Sequence, residues 1–247
     1  MSLAEVRDDW TRLGTDDPLW AILSHADKRG GQWDEREFLE TGRTEIDAAV
    51  AWLDRLGVRP ATERALDFGC GAGRLSIALT DHFAEVVGID IAEPMLVHAR
   101  RLDCAGQVRY LHNTRPDLAC LQTGTIDFCY SNLVLQHMPP ELAAGYLREF
   151  LRVLRPGGAV VVGIPDLYRR SAVGLLSRFT PRPLARLVQR HVLGYPAPMR
   201  MHTMPGDAVR ALAAANGARV VAAEEFDNDP HWRHMRYVIV KNAPGGR

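Results

Sequence analysis

The chain has 247 residues, 47% hydrophobic and 24% charged, the composition of one soluble α/β-sized domain with an elaboration. Thirty Lys and Arg offset thirty Asp and Glu, so charge gives no ground for expecting nucleic acid or an anionic membrane as partner. The four cysteines make no C-x-x-C pair, which argues against zinc ribbons and dithiol chemistry, and no apolar run approaches the ~20 residues of a spanning helix. The opening "MSLAEVRDDW" has no apolar signal core. The expectation is a reduced, cytoplasmic protein without stable membrane association.

In chain order, residues 1–59 read as a helical cap. Asp34 with Glu37 fits a capping pair, and Thr44 with Asp47 fits another. Ile46, Ala49, Val50, Leu53 and Leu56 then recur at helical spacing, and Gly57 suits a C-terminal cap. Four of the five tryptophans (Trp10, Trp20, Trp33, Trp52) fall in this segment, as core packing or as a cover over a ligand pocket.

Residues 60–165 alternate strand and helix. The strands are Arg64–Phe68, Val86–Asp90, Val108–His112, Ile126–Tyr130 and Ala159–Ile164. Residues 166–204 form an insertion. Residues 205–247 supply a helix and two more strands, Ala218–Phe226 and Tyr237–Lys241. Only "DNDPHWRHM" separates these two, too little for a crossover helix, so they read as an antiparallel hairpin. The fold class is therefore α/β: a Rossmann-like, seven-stranded, mostly parallel sheet with an antiparallel last strand, an N-terminal helical segment and a helical insertion after strand five.

The stretch "ALDFGCGAGRLS" leaves the first strand through a glycine loop and opens a helix. Amides at such a loop favour polar or anionic groups, and glycine lets a ligand approach the backbone. Asp90, 21 positions beyond Gly69, suits a ribose-hydroxyl acceptor. The spacing is Gly69-x-Gly71-x-Gly73, and Arg74 stands where a dinucleotide fingerprint needs its third glycine. Asp67 would repel a pyrophosphate and attract an ammonium group. A nucleoside carrying an amino-acid tail meets both conditions, as in S-adenosylmethionine.

Over residues 60–165 the chain resembles the class I S-adenosylmethionine-dependent methyltransferases. "ALDFGCGAGRLS" is similar to the first family motif, "VVGIDIAEPML" to the second, "IDFCYSNLVLQHMPP" to the strand-four motif, and "LRVLRPGGAVVV" to the turn into strand five. The resemblance implies S-adenosyl-L-methionine as cofactor and S-adenosyl-L-homocysteine as product. It implies cofactor contacts at Asp67, Gly69, Gly71, Gly73, Arg74, Asp90, Ile91, Met95 and Ser131. Where many relatives carry an acid after strand three, "LHNTRPDL" has Thr114; Asp117 reads as a cap or turn residue.

Methyl transfer needs an aligned nucleophile, and a base where that nucleophile is a hydroxyl or protonated amine. His137, after strand four, is the leading candidate, followed by His231 and His234 in the hairpin loop. Packing histidines and solvated loop histidines are the plain alternatives. Asp166, Tyr168, Tyr195 and His202 flank the insertion. His231 and His234 have no acid or cysteine companion, so no metal is expected. The strand-four stretch lacks the signatures of nucleic-acid methyltransferases. The insertion holds seven arginines and one acid, with Arg178, Arg182, Arg186 and Arg190 on one face of a helix capped by Thr180. It reads as a lid over an anionic acceptor, a dimer contact, a membrane-surface helix or a solvated face. The expected activity is methyl transfer to oxygen or nitrogen of a small molecule. A ligand-binding or regulatory protein, or a non-methylating enzyme on this fold, stays open, as does a homodimer.

Overall fold

The computed structural model describes residues 2–168, 195–227 and 231–243. Helix α1 (Leu3–Asp16) begins at a capping box, in which Ser2 and Glu5 satisfy one another's backbone amides. A short α2 (Pro18–Ile22) follows. Helix α3 (Glu35–Arg55) starts at Asp34, whose side chain accepts from the Glu37 amide at 3.0 Å. Gly57, at φ +67°, turns the chain out of it. Thr44 is an exposed residue in the interior of α3, so the second helix start expected there does not exist. The periodic apolar residues continue a helix already begun ten positions earlier.

The sheet has seven strands: β1 (Arg64–Phe68), β2 (Glu85–Asp90), β3 (Val108–His112), β4 (Ile126–Ser131), β5 (Leu154–Tyr168), β6 (Ala218–Asp227) and β7 (Trp232–Lys241). Their spatial order is β3-β2-β1-β4-β5-β7-β6. Strands β1 to β5 pair in parallel, and β7 runs antiparallel to both of its neighbours, β5 and β6. The hairpin is thus folded inward: its second strand takes the inner place. Gly163 on β5 makes room for Asn132, since a Cβ there would meet the Asn132 Oδ1.

Helices α4 (Arg74–Leu79) and α5 (Glu93–Leu102) follow β1 and β2. Helix α6 (Pro140–Val153) follows β4, and α7 (Gly206–Ala215) precedes β6. Ile46, Ala49 and Leu53 of α3 pack with Leu75 and Leu79 of α4 on one side of the sheet. Tyr146, Leu147 and Phe150 of α6 pack with Val209 and Ala213 of α7 on the other. Burial on both faces explains why the central strands read as unbroken apolar runs. The chain moves outward from β1 to β3 and returns to β4, so the sheet opens a crevice beyond the carboxyl ends of β1 and β4. Among the described residues no helix is long and apolar enough to cross a membrane.

Candidate active site

The loop from β1 to α4 sits at that crevice. Gly69, Gly71 and Gly73 have φ of 74°, 53° and 84°, a region that side chains avoid. Space is short as well. A Cβ would come within 2.4 Å of Val134 at Gly69, 2.6 Å of Ile22 at Gly71, and 2.6 Å of the Tyr110 hydroxyl at Gly73. Gly71 therefore lets the N-terminal segment close over the loop, while Gly73 serves packing against β3.

Asp90 ends β2 beside this loop. The Gly71 amide donates to its Oδ2 and the Ala92 amide to its Oδ1, each at 2.8 Å. Burial pushes the Asp90 carboxyl upward, and these amides oppose the rise. A carboxylate offers about four lone-pair positions, so two amides leave it able to accept from ligand hydroxyls.

A cavity of about 700 Å³ lies over the loop. That is within the size range of small-molecule sites. Of the residues expected from the sequence, Gly69, Gly71, Arg74, Asp90, Ile91 and Met95 line it, and so do His137, His231 and His234. Asp67, Gly73, Thr114 and Ser131 do not. Asp67 is buried behind the loop, where Ser76 donates to its Oδ2 at 2.6 Å and its Oδ1 has no partner among the described residues. Burial raises its carboxyl to about 7, against the Ser76 bond and the Arg74 charge. Ser131 is turned to the Phe68 carbonyl, 3.0 Å away. Thr114 is exposed, and its neighbour Asn113 lines the cavity instead. Asp117 pairs with Arg115 and accepts from the Ala119 amide, a turn residue as expected.

Arg74 is engaged by a residue that the sequence did not mark. Glu45 of α3 accepts from Arg74 Nη2 through Oε2, and from the Tyr130 hydroxyl and Asn132 amide through Oε1, all at 2.8 Å. Burial would lift the Glu45 carboxyl, but Arg74 and these hydrogen bonds outweigh it and hold it below the usual range. The cluster pins α3 to β4 and to the glycine loop. Next to Asn132, Leu133 has φ 60°, a left-handed conformation costing roughly 1–3 kcal/mol for a non-glycine residue. Leu133 lines the cavity too.

His137 closes the short turn Leu135–His137 after β4. Its Nδ1 lies 2.7 Å from the Arg200 carbonyl. A carbonyl only accepts, so Nδ1 carries the hydrogen, while Nε2 keeps a lone pair that faces the Gln136 amide nitrogen 3.5 Å away. Burial lowers the imidazole to about 4, with His202 and His234 adding to the fall and the Arg200 carbonyl opposing it. Trp10 of α1 meets the ring edge-on at 5.0 Å. Trp10 thus lines the pocket, whereas Trp20, Trp33 and Trp52 are buried in the cores. Tyr195 lines the cavity, Asp166 pairs with Arg233, and the His202 amide donates to the Gln136 carbonyl. The helix expected from Thr180 to Arg190, with its arginine face, lies outside the described residues. Among the described residues no group of three His, Cys, Asp or Glu is placed to hold a metal ion.

Residues 66–162 match the family described as "Methyltransferase domain". The chain is 33% identical over 156 residues to trans-aconitate 2-methyltransferase of Azoarcus sp. (strain BH72), covering 62% of this chain and 58% of that one. It is 35% identical over 148 residues to the ubiquinone biosynthesis O-methyltransferase of Xanthomonas oryzae pv. oryzae, covering 59% of this chain and 58% of that one. The chain thus spans just under three fifths of the length of these curated relatives. Among solved structures, the magnesium protoporphyrin IX methyltransferase of Synechocystis PCC 6803, with bound SAH, superposes with a TM-score of 0.65 at 22% identity. That match covers 98% of this chain and all of that one. Residues 66–162, the core of the chain, are thus a methyltransferase domain.

Proposed function

We propose that this chain transfers a methyl group from S-adenosylmethionine to a hydroxyl oxygen of a small molecule, with His137 as the base. One observation carries the reading. The same cavity is walled by Asp90, seated on the Gly71 and Ala92 amides, and by His137, whose Nδ1 faces the Arg200 carbonyl.

The donor set fits the cofactor. Asp90 retains acceptor capacity for two ribose hydroxyls, and Ile91 and Met95 offer an apolar slot for a purine. S-adenosylmethionine is the ligand named in structures that share this fold, and it supplies a methyl group activated on a sulfonium. Asp67 lies buried behind the loop, and with its carboxyl raised to about 7 it offers the ligand only a partial negative charge at neutral pH.

The chain's residues then position and deprotonate. The acceptor hydroxyl donates to His137 Nε2, and that nitrogen takes the proton as the oxygen–carbon bond forms. S-adenosylmethionine bound there would supply the methyl group and retain the bonding electron pair on its sulfur. An imidazole lowered to about 4 is neutral across the physiological range, so it can accept a proton there, though more weakly than an ordinary histidine. His231 and His234 flank the same space and serve the acceptor's orientation. The charged lining residues Glu45, Arg74 and Asp90 are already bonded to one another or to the backbone. Trp10, Met138, Met201 and Trp232 supply apolar wall. This setting suits a neutral hydroxyl better than an amine, and "O-methyltransferase" in the name of one relative agrees. The anionic acceptor rests on the arginines outside the described residues.

The test is transfer of radiolabelled methyl from S-adenosylmethionine into a metabolite extract, followed by isolation of the labelled product. His137→Gln should lower turnover roughly 10²–10⁴-fold with S-adenosylhomocysteine affinity intact. Binding of S-adenosylhomocysteine with no transfer to any extract would favour a ligand-binding role on the same fold. Label recovered on nitrogen would replace the hydroxyl acceptor by an amine.

A further inference from the structure

The tautomer of His137 is fixed by a segment far away in sequence. Residues 200–202 are stitched to the turn Leu135–His137 by two bonds, His137 Nδ1 to the Arg200 carbonyl and the His202 amide to the Gln136 carbonyl, each 2.7 Å. The Arg200 side chain reaches onto α1. Its Nη2 lies 3.2 Å from Asp9 Oδ2 and its Nη1 3.7 Å from Glu5 Oε1. The Arg200 and Asp9 side chains are only 20% and 14% exposed, so water screens this pair little. Glu5 also belongs to the capping box that starts α1, and Trp10, one residue beyond Asp9, meets the His137 ring. One residue therefore holds the carboxylates of α1 with its guanidinium and the imidazole with its carbonyl.

We propose that Arg200 is the positioning residue of His137: it couples the docking of α1, through Asp9 and Glu5, to the imidazole tautomer with Nδ1 protonated and Nε2 an acceptor. This rests on His137 being the base. The titratable groups acting on the ring are His202 and, on β7, His234, and the charged groups around the Arg200 side chain are Glu5 and Asp9 on α1. Loss of the guanidinium frees the 200–202 stretch from α1. The Nδ1–H then loses its fixed carbonyl, and the ring is free to carry its hydrogen on Nε2, where it can donate but not accept.

The experiment is long-range proton–nitrogen correlation spectroscopy of the whole chain labelled with nitrogen-15 histidine, at neutral pH, with His137→Gln assigning the signal. The native ring should show Nδ1 protonated and Nε2 unprotonated. Arg200→Met should move the Nε2 resonance toward the protonated range, Asp9→Asn should move it less, and Arg200→Lys should restore part of the shift. S-adenosylhomocysteine affinity should hold throughout. A folded Arg200→Met protein with an unmoved His137 signal overturns the coupling. Should Arg200→Met fail to fold, Asp9→Asn with an unmoved signal overturns it equally. Normal turnover by His137→Gln would instead remove the base while leaving the tautomer result standing.

Discussion

Glu45 on α3 and Arg74 on α4 form a buried ion pair, Oε2 to Nη2 at 2.8 Å, with side chains 13% and 3% exposed. The pair joins the N-terminal helices to the glycine loop. A buried pair adds little net stability over a well-packed apolar pair, but removing one partner strands the other charge. Glu45→Ala should therefore cost about 3–5 kcal/mol in denaturant unfolding. Glu45→Gln, which keeps an acceptor for Tyr130 and Asn132, should cost less.

The same contact is close in its backbone. A Cβ on Gly42 would lie 2.2 Å from the Arg74 carbonyl oxygen. Gly42→Ala should thus separate α3 from α4 and destabilise by about 1–3 kcal/mol. Gly145, in α6, has nothing within 4 Å of such a Cβ, so Gly145→Ala should raise the melting temperature, by about 0.5–1 kcal/mol in stability. Thermal melts of the two variants check both signs.

Acid should unfold the protein partly through His137. Its imidazole sits at about 4 in the folded chain against an ordinary 6.5. Between those values the unfolded chain binds a proton that the folded chain refuses, so stability is full above 6.5 and is lost as pH falls toward 4. The advantage of the native protein over His137→Gln should shrink by up to about 3 kcal/mol across that window. Asp67 acts oppositely. Its carboxyl is raised to about 7 from 3.8, so its contribution is full below 3.8 and declines as pH rises through 7. Melts of both variants from pH 4 to 8 should show gaps of opposite slope, and flat gaps would refute the assignment.

The strands were legible because buried β-branched runs and glycine turns are local features. "RALDF", "VRYLH" and "AVVVGI" lie inside the observed strands, and the Asp34 cap and Gly57 turn are where the sequence put them. Thr44 misled because a capping pattern means nothing once a helix is already running through it. The inner position of β7 is a matter of long-range pairing, which no local pattern encodes. In the site, Asp90 and His137 were legible because they follow strands β2 and β4 at the open edge. Glu45 looked like any polar residue on a helix, and only the tertiary fold brings it against Arg74, Tyr130 and Asn132. Asn113 rather than Thr114 reaches the cavity, a one-residue difference in how the chain leaves β3. Arg200 meets His137 through its carbonyl and Asp9 and Glu5 through its guanidinium, contacts between segments far apart in the chain that no local pattern encodes.

Every role proposed for this cavity depends on its binding S-adenosylmethionine with Asp90 on the ribose. Calorimetric titration of the whole chain with S-adenosylhomocysteine tests it most directly. One molecule should bind per chain, and Asp90→Ala should weaken it by about 1.5–3 kcal/mol for each hydroxyl bond lost to a charged acceptor. Tight binding of NAD with no heat from S-adenosylhomocysteine would contradict the claim.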